Sequence, residues 1–188
     1  VLDMPFGTYI NNDVALSNAI KVYSQTNAAA IKIEGGEDKA QIVKHLTSNS
    51  IAVMGHIGLM PQYVRSEGGY KVRGKTKEDE EQLIRDAIAV EKAGAFAIVI
   101  EGVKSDVAKK ITQAVNIPTI GIGAGNETDG QVLVWSDMLG FFEDFKKTIN
   151  VIGETPVLTI LNINHEPKKL FVKRLIDIII SIFGLIIM

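Results

Sequence analysis

The chain has 188 residues, of which 46% are hydrophobic and 22% charged, proportions typical of a globular protein with a real core. Its formal net charge of −2 provides no basic field to attract nucleic acid, and we expect no nucleic-acid partner. The absence of cysteine excludes disulfides, thiolate metal sites and a cysteine nucleophile. No signal-peptide pattern is present, so we expect a cytoplasmic protein.

Short apolar segments alternate with helical patterns, which predicts a parallel sheet with helices packed on it. The predicted elements are a strand at 1–4, a helix at 13–24, a strand at 29–34, a helix at 38–46, a strand at 51–56, a helix at 76–93, a strand at 95–101, a helix at 105–115 and strands at 118–122 and 131–135. Asn12 or Asp13 is expected to cap the first helix, and Thr76 with Asp79 is typical of a capping box.

Six strands in about 145 residues favour an incomplete α/β barrel of the (β/α)8 TIM type over an open sheet, since a complete barrel takes about 250 residues. The chain starts at Val1 within a predicted strand, and we interpret it as a fragment lacking two strand–helix units at its front. Residues 1–146 are predicted to form this partial barrel. Residues 147–188 are predicted to be an unrelated tail, with an apolar helix at 170–188 outside the barrel.

The segment from Gly58 to Lys75 has no regular period and is rich in glycine. Loops longer than about 12–15 residues are usually functional or disordered, so this segment is either a mobile surface loop or a lid. Tyr63, Tyr70 and Val72 favour a lid that packs down on the sheet.

Ionisable residues end four of the six predicted strands, where a buried strand would otherwise stay apolar. They are Asp3, Lys32 with Glu34, His56 and Glu101. Because reactive groups of parallel barrels lie at the carboxyl ends of the strands, we expect these side chains to converge at one mouth.

Asp3 and Glu34 offer hard oxygen ligands of the kind that Mg²⁺ takes together with water and substrate oxygens. The alternative is two unrelated acids, each paired with a lysine. Lys32 and Glu34 lie two residues apart on a strand and therefore project from the same face.

Glu101 follows a wholly apolar strand, and burial there would disfavour its charged form, which suits a general acid or base. The alternative is an acid that Lys32 holds in place. His56 could be a metal ligand, a hydrogen-bond donor or a structural histidine, and we favour the donor. For His45 and His165 we expect no functional role. The glycines at 121, 123 and 125 indicate close backbone packing against a ligand rather than a nucleotide site.

Several motifs, in order from residue 1 to about 145, resemble those of the ketopantoate hydroxymethyltransferase (3-methyl-2-oxobutanoate hydroxymethyltransferase) family. They are Asp3-Met-Pro-Phe-Gly-Thr-Tyr9, Lys32-Ile-Glu-Gly-Gly36, Gly55-His-Ile-Gly-Leu-Met-Pro-Gln62, Gly68-Gly-Tyr-Lys-Val-Arg-Gly74, Ile120-Gly-Ile-Gly-Ala-Gly125 and Asp129-Gly-Gln131. The resemblance implies a (β/α)8 barrel that transfers a hydroxymethyl group from 5,10-methylenetetrahydrofolate to 2-oxoisovalerate, in the biosynthesis of pantothenate. It also implies Mg²⁺ and a homo-oligomer, often a decamer.

The resemblance assigns a role to each residue at the strand ends. Asp3 would bind the metal and meet the substrate, and Glu34 would be a second carboxylate at the metal. Lys32 and His56 would bind the keto acid, and Glu101 would accept the proton.

Two departures from the family pattern stand out. An Asp-Ser pair on the absent front strands is lost, and Ser136 stands where a histidine is expected before Asp137. We therefore expect the chain as given to be inactive or nearly so.

The tail resembles the stretch before the membrane anchor of bacterial polyprenyl-phosphate sugar-phosphate transferases. The segments that carry this resemblance are Gly153-Glu-Thr-Pro-Val-Leu158 and Lys173-Arg-Leu-Ile-Asp-Ile-Ile-Ile-Ser-Ile-Phe-Gly-Leu185. The apolar part, Leu175–Met188, is shorter than the roughly 20 residues of a spanning helix, which indicates a truncated or interfacial segment. We favour a junction of two unrelated gene pieces, with membrane contact through 170–188. The alternative is a terminal helix packed on the barrel.

Two other functions compete with the hydroxymethyltransferase. One is an inert remnant that its C-terminal helix tethers to a membrane. The other is a different Mg²⁺-dependent keto-acid enolate enzyme, a lyase or mutase, against which the resemblance of the segment Gly68–Gly74 argues.

Overall fold

The computed structural model of the protein describes residues 1–134. Its elements, in chain order, are β1 (Leu2–Asp3), α1 (Asn12–Gln25), β2 (Ile31–Glu34), a 3-10 turn (Glu37–Lys39), α2 (Ala40–Ser48), β3 (Val53–Gly58), a 3-10 turn (Pro61–Tyr63), α3 (Val64–Glu67), α4 (Lys77–Lys92), β4 (Ala97–Glu101), α5 (Ser105–Ala114), β5 (Thr119–Ile122) and β6 (Gly130–Gln131). The predictions for Ser136 and for the tail at 147–188, including its apolar helix, lie outside the described residues.

The strands form one parallel sheet in the order β1-β2-β3-β4-β5-β6, so each strand pairs with its neighbour in sequence. Within residues 1–134 the sheet does not close, and β1 and β6 form its two edges. This architecture confirms the predicted incomplete barrel of six parallel strands. A search of the same residues for a helix long and apolar enough to cross a membrane finds none.

The core lies between the sheet and the helices, and β3 approaches α4 very closely. A Cβ atom added to Gly55 would lie 2.4 Å from Cγ1 of the buried Val90, so only glycine fits there without movement. Helix α1 buries a narrow stripe of Ala15 and Ala19, while Ile20 is exposed. Its cap is Asn11, whose side chain accepts the Val14 N–H, and not Asn12 or Asp13.

The segment after β3 is neither a free loop nor a lid packed down by aromatic side chains. Tyr70 is 65% exposed and Val72 is also exposed, so the expectation that they pack against the sheet is wrong; Tyr63 is only partly buried. Arg73 fixes the segment instead. Its N–H donates to the Gly102 carbonyl at 2.8 Å, and its guanidinium contacts Asp79 at 2.7 Å.

Thr76 caps α4 as predicted, because its hydroxyl accepts the Asp79 N–H. In a complete capping box the Asp79 side chain would accept the Thr76 N–H in return. Here the Asp79 carboxylate binds Arg73 and the Gly74 N–H instead. Burial raises the pKa of Asp79, and the hydrogen bonds from Arg73, Gly74 and Lys75 together with the charge of Arg73 lower it. The net result is a pKa below the ordinary value of this carboxyl.

Candidate active site

The polar residues predicted at the strand ends meet at the carboxyl edge of β1–β4. The parallel register sets Asp3 level with Lys32 and Glu34 level with His56. Glu101 ends β4, level with Gly58 of β3. The expected convergence of these five side chains is therefore found, and it follows from the parallel order of the strands.

Lys32 lies between Asp3 and His56. Its ammonium nitrogen is 3.0 Å from Oδ2 of Asp3 and 3.1 Å from Nδ1 of His56. The side chain is about one-fifth exposed, and Asp3 is more open to solvent. A cation in this position can bind an anionic ligand at the mouth of the strands.

His56 is 2% exposed and lies at the centre of the cluster. Its Nδ1 is 3.9 Å from Oε1 of Glu34, and its Nε2 is 3.2 Å from Oε2 of Glu101. Although the second distance is short, the Nε2–H direction misses the oxygen, and Nε2 has no hydrogen bond. Nε2 of His56 and Oε2 of Glu101 are therefore close neighbours that do not share a hydrogen bond.

The carboxylate that the structure buries is Glu34, which is 1% exposed, whereas the Glu101 side chain is 25% exposed. The expectation that Glu101 would be desolvated is wrong, because its side chain at the end of β4 remains partly open to solvent. Burial raises the pKa of Glu34. The Gln62 N–H, donating to Oε2 at 3.0 Å, and the nearby His56 partly oppose that shift.

Two further residues belong to the site, and the strand-end pattern missed both. The Tyr9 hydroxyl donates to Oε1 of Gln62 at 2.8 Å, and Nε2 of Gln62 donates to the Met4 carbonyl at 2.9 Å. Burial raises the pKa of Tyr9 well above its ordinary value, and the charge of Glu34 adds to the shift. Both residues lie in loops within the quoted motifs, where periodicity carries no signal.

The glycines after β5 pack against the protein itself. A Cβ atom on Gly121 would lie 2.6 Å from the Thr128 hydroxyl oxygen, and one on Gly125 would overlap the Ser105 side chain. Close backbone packing was expected there, but the structure shows protein side chains in the place assigned to a ligand.

A divalent cation at the strand ends would need several hard oxygen donors around it. Within residues 1–134, no three His, Asp or Glu side chains form a ready metal-binding group. Asp3 and Glu34 nevertheless provide two carboxylates on adjacent strands, with Asp3 open to solvent. Mg²⁺ is commonly held by one or two carboxylates completed by water and substrate oxygens, so this donor set fits Mg²⁺.

The fold and the strand-end carboxylates are those of an α/β-barrel enzyme site. Residues 1–152 match the ketopantoate hydroxymethyltransferase family, and the chain belongs to that family. It is 86% identical over 146 residues to the 3-methyl-2-oxobutanoate hydroxymethyltransferase of Aliarcobacter butzleri, covering 78% of this chain and 54% of that protein.

Other relatives of the same name give a similar result. The protein of Sulfurimonas denitrificans is 68% identical over 145 residues, which cover 77% of this chain and 55% of that protein. The protein of Helicobacter pylori (strain Shi470) is 57% identical over 146 residues, which cover 78% of this chain and 54% of that protein. The chain spans about half the length of the curated relatives it matches.

Proposed function

We propose that this chain carries most of the active site of a 3-methyl-2-oxobutanoate hydroxymethyltransferase. The reaction transfers a hydroxymethyl group from 5,10-methylenetetrahydrofolate to 2-oxoisovalerate and gives ketopantoate. The convergence of two carboxylates, a lysine, a buried histidine and a partly exposed glutamate in a chain of this family supports the proposal. A cytoplasmic homo-oligomer is proposed on the same family resemblance.

Lys32 binds the carboxylate of the keto acid in this proposal. Its ammonium already pairs with the exposed Asp3 carboxylate, so an anionic substrate would meet a cation held in place. Asp3 and Glu34 would hold Mg²⁺, whose charge stabilises the negative charge that develops on the enolate. His56 donates a hydrogen bond to the substrate from Nε2, which has no hydrogen-bond partner in the described structure.

Glu101 takes the proton from C3 of the keto acid. Its carboxylate is partly exposed at the strand ends, so an oxygen is accessible to a bound ligand there. The C3–H bond breaks, its electron pair forms the enolate, and C3 then bonds to the one-carbon unit of the folate. The two bonds from that carbon to the folate nitrogens break, and tetrahydrofolate leaves. One water is consumed, because the product carries a hydroxymethyl group where the folate carried a methylene group.

Purified chain with 2-oxoisovalerate, 5,10-methylenetetrahydrofolate and Mg²⁺, followed for ketopantoate, tests the proposal. We expect little or no turnover from this chain alone, and restored turnover when the remaining part of the Aliarcobacter butzleri relative is added as a separate polypeptide. Glu101→Gln should abolish whatever is restored, whereas Glu127→Gln, at an exposed ion pair with Lys109, should have no effect. Full turnover by a complex containing Glu101→Gln would refute the role of Glu101.

A further inference from the structure

We propose that Tyr9 and Gln62 are positioning residues that hold the end of β1, with Asp3, and the carboxylate of Glu34 in a fixed arrangement for the divalent cation. The inference rests on the proposed function. It adds two residues, neither of them at a strand end, and names the carboxylate oxygens and backbone groups through which they act.

Gln62 connects the loop after β3 to both of the strands that carry the carboxylates. Its backbone N–H donates to Oε2 of Glu34 at 3.0 Å. Its side-chain Nε2 donates to the carbonyl of Met4, the residue that follows Asp3, at 2.9 Å. A single residue therefore restrains Glu34 directly and Asp3 through the adjoining backbone.

Tyr9 holds the Gln62 amide in the orientation that the Met4 carbonyl sets. The Met4 carbonyl can only accept, so Nε2 of Gln62 must face it and Oε1 must face Tyr9. Tyr9 then has to donate its hydroxyl proton to Oε1, at 2.8 Å. Tyr9 is buried and Gln62 is partly buried, so loss of this hydrogen bond would leave Oε1 of Gln62 without its protein partner.

The arrangement distinguishes the two oxygens of Glu34. Oε2 is occupied by the Gln62 N–H, whereas Oε1 lies on the side of His56, 3.9 Å from Nδ1. His56 in turn contacts Lys32, which contacts Asp3. Gln62 therefore occupies Oε2 and leaves Oε1 as the Glu34 oxygen that faces His56.

The test measures Mn²⁺ binding to the full chain by electron paramagnetic resonance, with Tyr9→Phe and Gln62→Met as the altered proteins. Each should bind Mn²⁺ about tenfold more weakly, the size of effect typical of residues that orient metal ligands. Both variants break the same set of hydrogen bonds, from Tyr9 through Gln62 to Met4. The double variant should therefore bind Mn²⁺ no more weakly than whichever single variant has the lower affinity.

Tyr23→Phe is the matched control. The Tyr23 hydroxyl also makes two hydrogen bonds, to the Ala29 carbonyl and from the Ala52 N–H, but it lies at the opposite ends of β2 and β3. Mn²⁺ affinity should not change in this variant. An equal loss of affinity in Tyr23→Phe and Tyr9→Phe would mean a general loosening of the fold and would overturn the proposal.

A second measurement decides the proposal independently of the metal. The Gln62 N–H, protected by Glu34, should exchange with deuterium at least severalfold faster in Tyr9→Phe than in the unaltered chain or in Tyr23→Phe. Unchanged exchange overturns the positioning role. If the unaltered chain binds no Mn²⁺ but Tyr9→Phe still exchanges faster, the linkage between Tyr9 and Glu34 is supported. The metal site is then removed from the proposed function.

Discussion

Lys32 and His56, on adjacent strands, contact each other through Nζ and Nδ1 at 3.1 Å. An ammonium group has donors only, so Nδ1 of His56 must accept, and the neutral ring then carries its proton on Nε2. That nitrogen faces Glu101 at 3.2 Å. The lysine of one strand thereby sets the tautomer of the histidine on the next.

Nitrogen-15 NMR of the histidine rings tests this assignment. The His56 ring should show the Nε2–H tautomer in the unaltered chain, because Lys32 donates to Nδ1. Lys32→Met removes the donor and should give a mixture of the two tautomers. Lys44→Met, at an exposed position on α2, should leave the His56 signals unchanged. An Nδ1–H tautomer in the unaltered chain would contradict the assignment.

Replacing Glu34 should stabilise the fold at neutral pH. Burial raises the pKa of Glu34 above its ordinary value of about 4.5, so the folded state binds this proton more tightly than the unfolded state. The resulting contribution to stability is present below pH 4.5 and is lost as pH rises through the folded pKa. Glu34→Gln should therefore raise the free energy of unfolding relative to the unaltered chain, and more at pH 7 than at pH 4.

Urea denaturation of both proteins across pH 4–8 measures the Glu34 effect. The difference between them should change by at most about 1.4 kcal/mol per pH unit within the titration window. Glu127→Gln, which removes an exposed carboxylate, should show no such pH-dependent difference. If the advantage of Glu34→Gln in the free energy of unfolding became smaller as the pH rises, the prediction for a buried carboxylate would be contradicted.

Adding one methyl group to β3 should strain its contact with α4. The Cβ atom of Gly55→Ala would lie 2.4 Å from Cγ1 of Val90, and overpacking of this kind costs about 1–3 kcal/mol. Val90→Ala removes the clashing atom, so the double variant should be less destabilised than the sum of the two single variants. Thermal unfolding measures the effect. Gly130→Ala, whose nearest neighbour is 3.9 Å away, serves as the control.

Asp79→Asn should release the segment after β3. The Asp79 carboxylate accepts from Arg73 at 2.7 Å and from the Gly74 N–H, so we expect a loss of about 1–3 kcal/mol in the free energy of unfolding at pH 7. The pKa of Asp79 is lowered, so its carboxylate stabilises the folded state at pH values above its ordinary pKa. This stabilisation is lost as the pH falls through the pKa of the folded state.

Denaturation near pH 3 and at pH 7 checks the Asp79 prediction, because the loss should be smaller at the lower pH. Glu81→Gln is the control on the same helix. Glu81 pairs with Lys77 at 3.9 Å on an exposed surface, where an ion pair contributes about 0–1 kcal/mol. A loss at Glu81 as large as the loss at Asp79 would contradict the special role of the Arg73 contact.

The sequence predicted the architecture well, because apolar strands and capped helices are local signals. The helix after Thr76 begins and ends within one residue of its predicted bounds. The convergence of the strand-end residues also followed, since parallel pairing sets them level across the sheet.

Features that depend on contacts between distant segments could not be predicted. Tyr9 and Gln62 are 53 residues apart, and nothing in either loop indicates their pairing. The Glu101 side chain is partly exposed although its strand is apolar, and the segment after β3 is held by Arg73 rather than by its aromatic residues. Strand periodicity reports which face a residue occupies, but not how deeply its neighbours cover it.

The position of β1 has a consequence for ligand affinity. This two-residue strand carries Asp3 and, within residues 1–134, has a neighbour on one side only, so it is the element of the site that can most readily detach from the sheet. If it is docked in only a fraction of molecules, the observed affinity for any ligand that needs Asp3 is the intrinsic affinity multiplied by that fraction. Such a ligand would in turn slow exchange of the Leu2 and Met4 N–H groups, which bond to β2 and to the residue before it.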